Sequence, residues 1–235
     1  MKTISLAARA GLALALLVAL SGCFFNHGGN LPKAAMALEG QQTRPPQPQA
    51  FTLCRDYGCL TEQPVGLDPA AWTEVTAPLR TPASDPAAER RQVALAVGRF
   101  ELAVGAQAGT ENDIGGTLTG FGEGGQQDCI DEAVNTTRFL LMIQAAGLLH
   151  HHSVGTPVHR AWIADEITHI TATLVENTAR GRYAIDSWFH GNGHAAEVME
   201  ITAWLDGWQP EVWRFEAAAG SYAEAAPAER SPKSN

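Results

Sequence analysis

The chain has no apolar run of the roughly 20 residues that a membrane-spanning helix requires; its one uncharged stretch of note, Gly11 to Leu20, is too short to cross a bilayer. It also lacks a surplus of positive charge. Sixteen Lys and Arg stand against 25 Asp and Glu, a net charge of -9 that argues against nucleic acid as a partner. There is no internal repeat, and only four cysteines are present. What remains is a chain of 235 residues, 45% hydrophobic, which fits one domain with a real core.

The short apolar stretch has its own meaning. Lys2 and Arg9 precede it, and Leu20-Ser21-Gly22-Cys23 closes it with small residues before a cysteine. This order is similar to the signal and lipobox of bacterial lipoproteins. It predicts removal of residues 1–22, a lipid on Cys23, and a body held at the periplasmic face of the cell envelope, on the outer membrane. Cleavage at a nearby small residue, leaving Cys23 unmodified, is the alternative. Without the leader the chain is more acidic still, because the leader carries Lys2 and Arg9 and no acid.

In such an oxidising compartment the other cysteines divide. Cys54 and Cys59, five apart, are predicted to close a small disulfide loop; a metal knuckle is the rival, with no second cysteine pair or nearby histidine to support it. Cys129 is then the odd thiol, either a small buried hydrophobe or a reactive group. Residues 23–50, with Arg44-Pro45-Pro46-Gln47-Pro48, are expected to be a flexible tether, residues 51–215 a single domain, and residues 216–235, rich in Ala, Glu, Pro and Ser, a disordered tail.

Local signals place the elements. Asp68-Pro69 and Asp85-Pro86 read as N-caps followed by Pro at the first helical position, the first helix burying Trp72, Val75 and Leu79, the second Val93, Val97, Phe100 and Val104. Gly105 to Gly125 is glycine-rich and reads as a long loop. Asp128 caps a third helix over Cys129 to Leu149. Strands are predicted at Val158 to Ile163, Thr168 to Glu176 and Arg182 to Trp188, and a short helix at Glu200 to Trp208.

The chemistry-bearing order is Cys129 at a helix start, His169 on a strand, and Asp186 on the next strand. A first-turn cysteine feels the unpaired N–H groups and positive dipole end of its helix, which favour thiolate, although Asp128, Asp131 and Glu132 oppose it. Those acids are equally well read as helix caps. Strand parity tests the rest. A pairing in which facing residue numbers sum to 355 puts His169 opposite Asp186, one of 357 sets them diagonally, roughly 7 to 8 Å apart on one face, and one of 356 separates them. Among the eight histidines only His169 has a strand acid at hairpin distance; His150-His151-His152 follow a helix end, and His190 and His194 flank a Gly-Asn-Gly turn. The Cys129 N–H with the side chain of Gln126 or Gln127 is the candidate oxyanion hole.

The segments Asp128-Cys129-Ile130-Asp131-Glu132-Ala133, Thr168-His169-Ile170 and Tyr183-Ala184-Ile185-Asp186-Ser187-Trp188 resemble the transglutaminase-like branch of the papain-like fold, across about residues 126–188. The resemblance implies an α+β domain, its catalytic-type core at about residues 121–210, with the cysteine helix packed on an antiparallel sheet. It implies Cys129 as nucleophile, His169 as base and Asp186 as orienter, no metal or cofactor, and an acyl-enzyme formed from an amide or ester. Envelope proteins or peptidoglycan peptides are the substrates within reach. The competing class is a non-catalytic binding or scaffolding lipoprotein with Cys129 inert. A zinc site from His150, His151, His152, His190, His194 and Asp165 is a third reading, whose spacing matches no closed motif. Trp162, Trp188 and Trp204 are either pocket walls or core.

Overall fold

A computed structural model describes residues 44–117, 124–162, 167–211 and 217–221. The expected leader, Cys23, His27, most of the tether, Asp165 and the last residues of the tail lie outside the described residues. The chain is a mixed α+β protein built on an antiparallel sheet. In order come β1 (Phe51–Arg55), β2 (Thr61–Val65), α1 (Pro69–Val75), a 3-10 turn (Ala77–Leu79), α2 (Pro86–Ala108), α3 (Cys129–Ala145), β3 (His152–Val154), β4 (Val158–Trp162), β5 (Ile167–Glu176), β6 (Arg182–Asp186), β7 (Glu197–Glu200) and α4 (Ile201–Leu205).

The caps form as their residues dictate. The Asp68 carboxylate accepts from the N–H groups of Ala70 and Ala71, Asp85 accepts from Ala88, and each helix has Pro at its start, where no N–H is needed. Pro78 ends α1 earlier than the predicted apolar face, so Leu79 belongs to the 3-10 turn. α2 runs past Gly105 and stops at Gly109, whose φ of 75° is the left-handed geometry glycine supplies without strain.

Long β5 organises the main sheet. Its first half pairs with β4 (Val158↔Thr171 to Trp162↔Ile167) and its second half with β3 (His152↔Glu176 to Val154↔Leu174), so β3 and β4 are two pieces of one edge strand interrupted at Gly155-Thr156-Pro157. On its other side β5 pairs with β6, and β6 with β7. β1 and β2 form a separate hairpin. The core lies between helices, hairpin and sheet, and at its centre Phe100 stacks on Phe51 and Phe139 at 5.8 and 4.7 Å.

Two expected boundaries are corrected. The end of the tether is docked, because the Pro48 carbonyl accepts from the Leu67 N–H at 2.7 Å and Gln47 bridges Ala50. Within the supposed tail, the Ala219 N–H donates to Asn192 at 2.8 Å and Ala219 is buried. In both segments the backbone groups find partners that composition could not foretell.

Candidate active site

α3 begins on Cys129, and its first turn is held from two sides. The Asp128 carboxylate accepts from Ile130 and Asp131, and the Asp131 carboxylate reaches back to the Asp128 N–H at 3.2 Å, a reciprocal capping box. Over this turn lies the Cys54–Cys59 disulfide loop. Asp56, Tyr57, Gly58 and Cys59 all have φ between 58° and 69°, which turns successive amides toward the helix: Tyr57 and Cys59 donate to Asp131 at 2.9 and 2.6 Å, and Gly58 to Asp128 at 2.9 Å. From the next turns of α3, the Asn135 side chain brackets both backbone groups of Cys54, at 2.7 and 2.8 Å. The acids around the thiol therefore bind the helix cap and the loop.

The β5–β6 pairing is Ala172↔Ile185, the register that sums to 357, so His169 and Asp186 share a face diagonally. The gap is closed by their side chains, with the His169 Nε2–H donating to Asp186 Oδ2 at 2.7 Å, both residues being buried. That bond fixes the proton on Nε2, so the neutral ring carries its lone pair on Nδ1, the nitrogen able to accept a proton. Asp186 Oδ2 takes a second bond, from the Trp204 indole N–H at 2.6 Å. Trp188, Trp204 and Phe189 surround the imidazole with ring centroids at 4.7, 5.2 and 5.4 Å. Beyond the last β5–β6 pair, the N–H of Ile170 donates to the Cys129 sulfur. Cysteine, histidine and aspartate thus meet at one end of the sheet.

Electrostatics there favour the neutral thiol. Burial pushes the Cys129 thiol well above its ordinary range, and the charges of Asp128, Asp186 and Asp131 add to it, against the opposing Ile170 hydrogen bond. On the far side of Asp186, the Ser187 hydroxyl donates to Glu132 at 2.5 Å and pairs with Thr136 at 3.0 Å. Burial, with the charges of Asp186 and Asp128, raises Glu132 to about 7 despite the Ser187 bond. Glu101 and Asp113 beside it are raised by burial first and by the Glu132 charge second.

Other expectations are overturned or redirected. Gln126 donates its amide to the Asn112 carbonyl at 3.0 Å and accepts from Ile114, while Gln127 donates to the Cys54 carbonyl at 3.1 Å. These side chains knit the loop before α3, each spending one amide N–H on a backbone carbonyl. The zinc candidates do not gather into one set: His190 and His194 lie with ring centroids 6.0 Å apart but bond Glu197 and the Ala217 carbonyl, while His152 is paired with Glu89. Among the described residues the one close trio of ligand types is Cys54, Cys59 and Asp131, whose two sulfurs are bonded to each other. Trp188 and Trp204 are buried around His169, so they are core and support the site at once. A groove of about 640 Å³ lies instead along Arg44, Phe51, Pro64, Gln107 and Arg138, away from Cys129. The sequence reading missed Trp204 as an Asp186 partner, since no local pattern links α4 to β6. It also missed Ser187, which parity alone places on the face opposite Asp186.

No family model, curated protein or solved structure matches the chain.

Proposed function

We propose that this chain is an envelope cysteine hydrolase or acyltransferase on a papain-like, transglutaminase-like fold, with Cys129 as nucleophile, His169 as base and Asp186 as orienter. The observation that carries the reading is the buried His169–Asp186 bond, pinned by Trp204 and set one residue from the amide that touches the sulfur. The raised thiol makes the step concerted. His169 Nδ1 takes the thiol proton as sulfur attacks the acyl carbon of an amide or ester, and the imidazolium returns that proton to the departing amine or alcohol. The Cys129 thioester is then cleaved by water or by an acceptor amine, with His169 again as base. Asp186 holds the tautomer and balances the imidazolium.

The same reading gives Cys23 a lipid and the protein a periplasmic place at the outer membrane, where envelope proteins or peptidoglycan peptides are the substrates. The Cys54–Cys59 disulfide supports an oxidising compartment. Radiolabelled fatty acid fed to expressing cells is expected to enter the wild-type chain and not Cys23→Ser; equal labelling ends the lipid assignment.

One observation favours a second reading, a binding or scaffolding module. Cys129 is only 7% exposed and packs with the disulfide, Ile130, Val134, Trp188 and Phe189. Mixing the folded protein with p-nitrophenyl acetate separates the two. The hydrolase reading expects a stoichiometric burst with the acetyl group on Cys129, absent in Cys129→Ala and slowed about 100-fold or more in His169→Ala. Acetylation that ignores His169 leaves the binding module.

A further inference from the structure

We infer that Arg160 is a positioning residue of this site, holding Trp204 and through it the Asp186 carboxylate that orients His169. The inference rests on the triad reading and extends it to a residue that touches neither sulfur nor substrate. Arg160 lies on β4 directly across from His169, so the two side chains share a face of the sheet. Its guanidinium carbon sits over the Trp204 ring, 4.3 Å from the centroid, and its NH1 donates to the Trp204 backbone carbonyl. Trp204 in turn gives its indole N–H to the Asp186 oxygen that His169 uses. A line of contact therefore runs from guanidinium to indole to carboxylate to imidazole.

The energetics say that this arginine is not ordinary filler. It is 4% exposed, and among the described residues its Nε and NH2 have no hydrogen-bond partner. A buried guanidinium left so short of acceptors is costly unless a nearby charge offsets it. The Asp186 carboxylate does so: burial lowers the Arg160 pKa and the Asp186 charge opposes that fall. Arg160 thus fixes the indole that bonds the carboxylate, and the carboxylate fixes the imidazole.

The test uses the full chain with Arg160→Met and Arg160→Lys. In Arg160→Met the rate of Cys129 acetylation is expected to fall about tenfold or more, with Arg160→Lys restoring most of it. Hydrogen exchange of the Trp204 indole N–H, read by NMR, is expected to quicken about tenfold or more in Arg160→Met and to stay slow in Arg160→Lys. A rate loss with unchanged indole exchange, or one that Arg160→Lys does not restore, overturns the inference while leaving the triad standing. Absence of any Cys129 burst in the wild-type protein sinks the triad instead, and the indole exchange then still decides: unchanged exchange in Arg160→Met refutes the positioning role. Should Arg160→Met fail to fold, Arg160→Gln takes its place in both measurements.

Discussion

Two buried histidines of this protein each meet a carboxylate, His169 with Asp186 at 2.7 Å and His152 with Glu89 at 2.9 Å, and the difference lies in what surrounds each pair. His152 donates from Nδ1, while its Nε2 accepts from Arg90 at 3.1 Å, so its lone pair is consumed by a guanidinium. Glu89 also accepts from the N–H groups of His150 and His151, and Arg90 bonds Glu176 and lies 3.7 Å from the Tyr183 ring centroid. The bonds to Glu89 lower its pKa against the desolvation that would raise it. That network ties α2 to the strand edge and occupies both nitrogens of the ring. The His169 pair is embedded in aromatic rings and bonded so that its basic nitrogen is the one turned from the carboxylate. A histidine bonded to a carboxylate makes a clamp in one place and, in the function proposed above, an acid–base pair in the other, and the second partner of each ring decides which.

The sharpest way to break this contrast is to remove the rings in turn. His169→Ala is expected to slow Cys129 acylation about 100-fold or more with a modest change in urea midpoint, whereas His152→Ala should cost about 3 kcal/mol of stability through the cavity left and the hydrogen bonds lost to Glu89 and Arg90, yet keep the pH profile of acylation. Equal effects on both measurements would erase the distinction. Next comes pH. Glu132, near Asp186, is raised to about 7 in the fold against an ordinary 4.5, so its burial costs nothing below pH 4 and weakens the fold progressively as pH climbs through 7. Glu132→Gln is therefore expected to be more stable than wild type at pH 8, by up to about 3 kcal/mol, and to lose that advantage at pH 4 in urea titrations. Glu89→Gln should show the opposite preference, being worse at neutral pH, where its lowered pKa signals a useful charge. The smallest effect belongs to the disulfide. Cys54→Ser with Cys59→Ser is expected to lose about 2 kcal/mol for so short a loop, and to quicken iodoacetamide labelling of Cys129 while amide exchange around His152 stays slow. Unchanged labelling would mean that the loop does not shield the thiol.

Much of this was legible in the sequence wherever a local rule decides the outcome. Asp68-Pro69, Asp85-Pro86 and Asp128 mark true helix starts because capping involves only the next three residues. β5 and β6 were found from their apolar content, and parity left two registers that bring His169 to Asp186, one of which the structure has. What escaped depends on partners far along the chain. Glu89 binds amides 61 and 62 residues away, and Arg160 meets Trp204 across 44. The hairpin of β1 and β2 was read only as a cysteine loop, although Phe51-Thr52-Leu53 alternates as a half-buried strand should. Gln126 and Gln127 looked like donors because a loop glutamine before a helix has no local signature to say which carbonyl it will meet.

The grip of Asn135 on Cys54 spans 81 residues, and it orders events during synthesis. The β1–β2 hairpin emerges before α3, so the Cys54 backbone groups that Asn135 takes must wait for that helix, and through that interval two thiols stand ready while a third, Cys129, arrives later. A nascent chain oxidised too late can join the wrong sulfurs and trap the helix away from its strand. Closing the small ring before residue 129 appears removes that mispairing, and an isomerase would undo it if it formed.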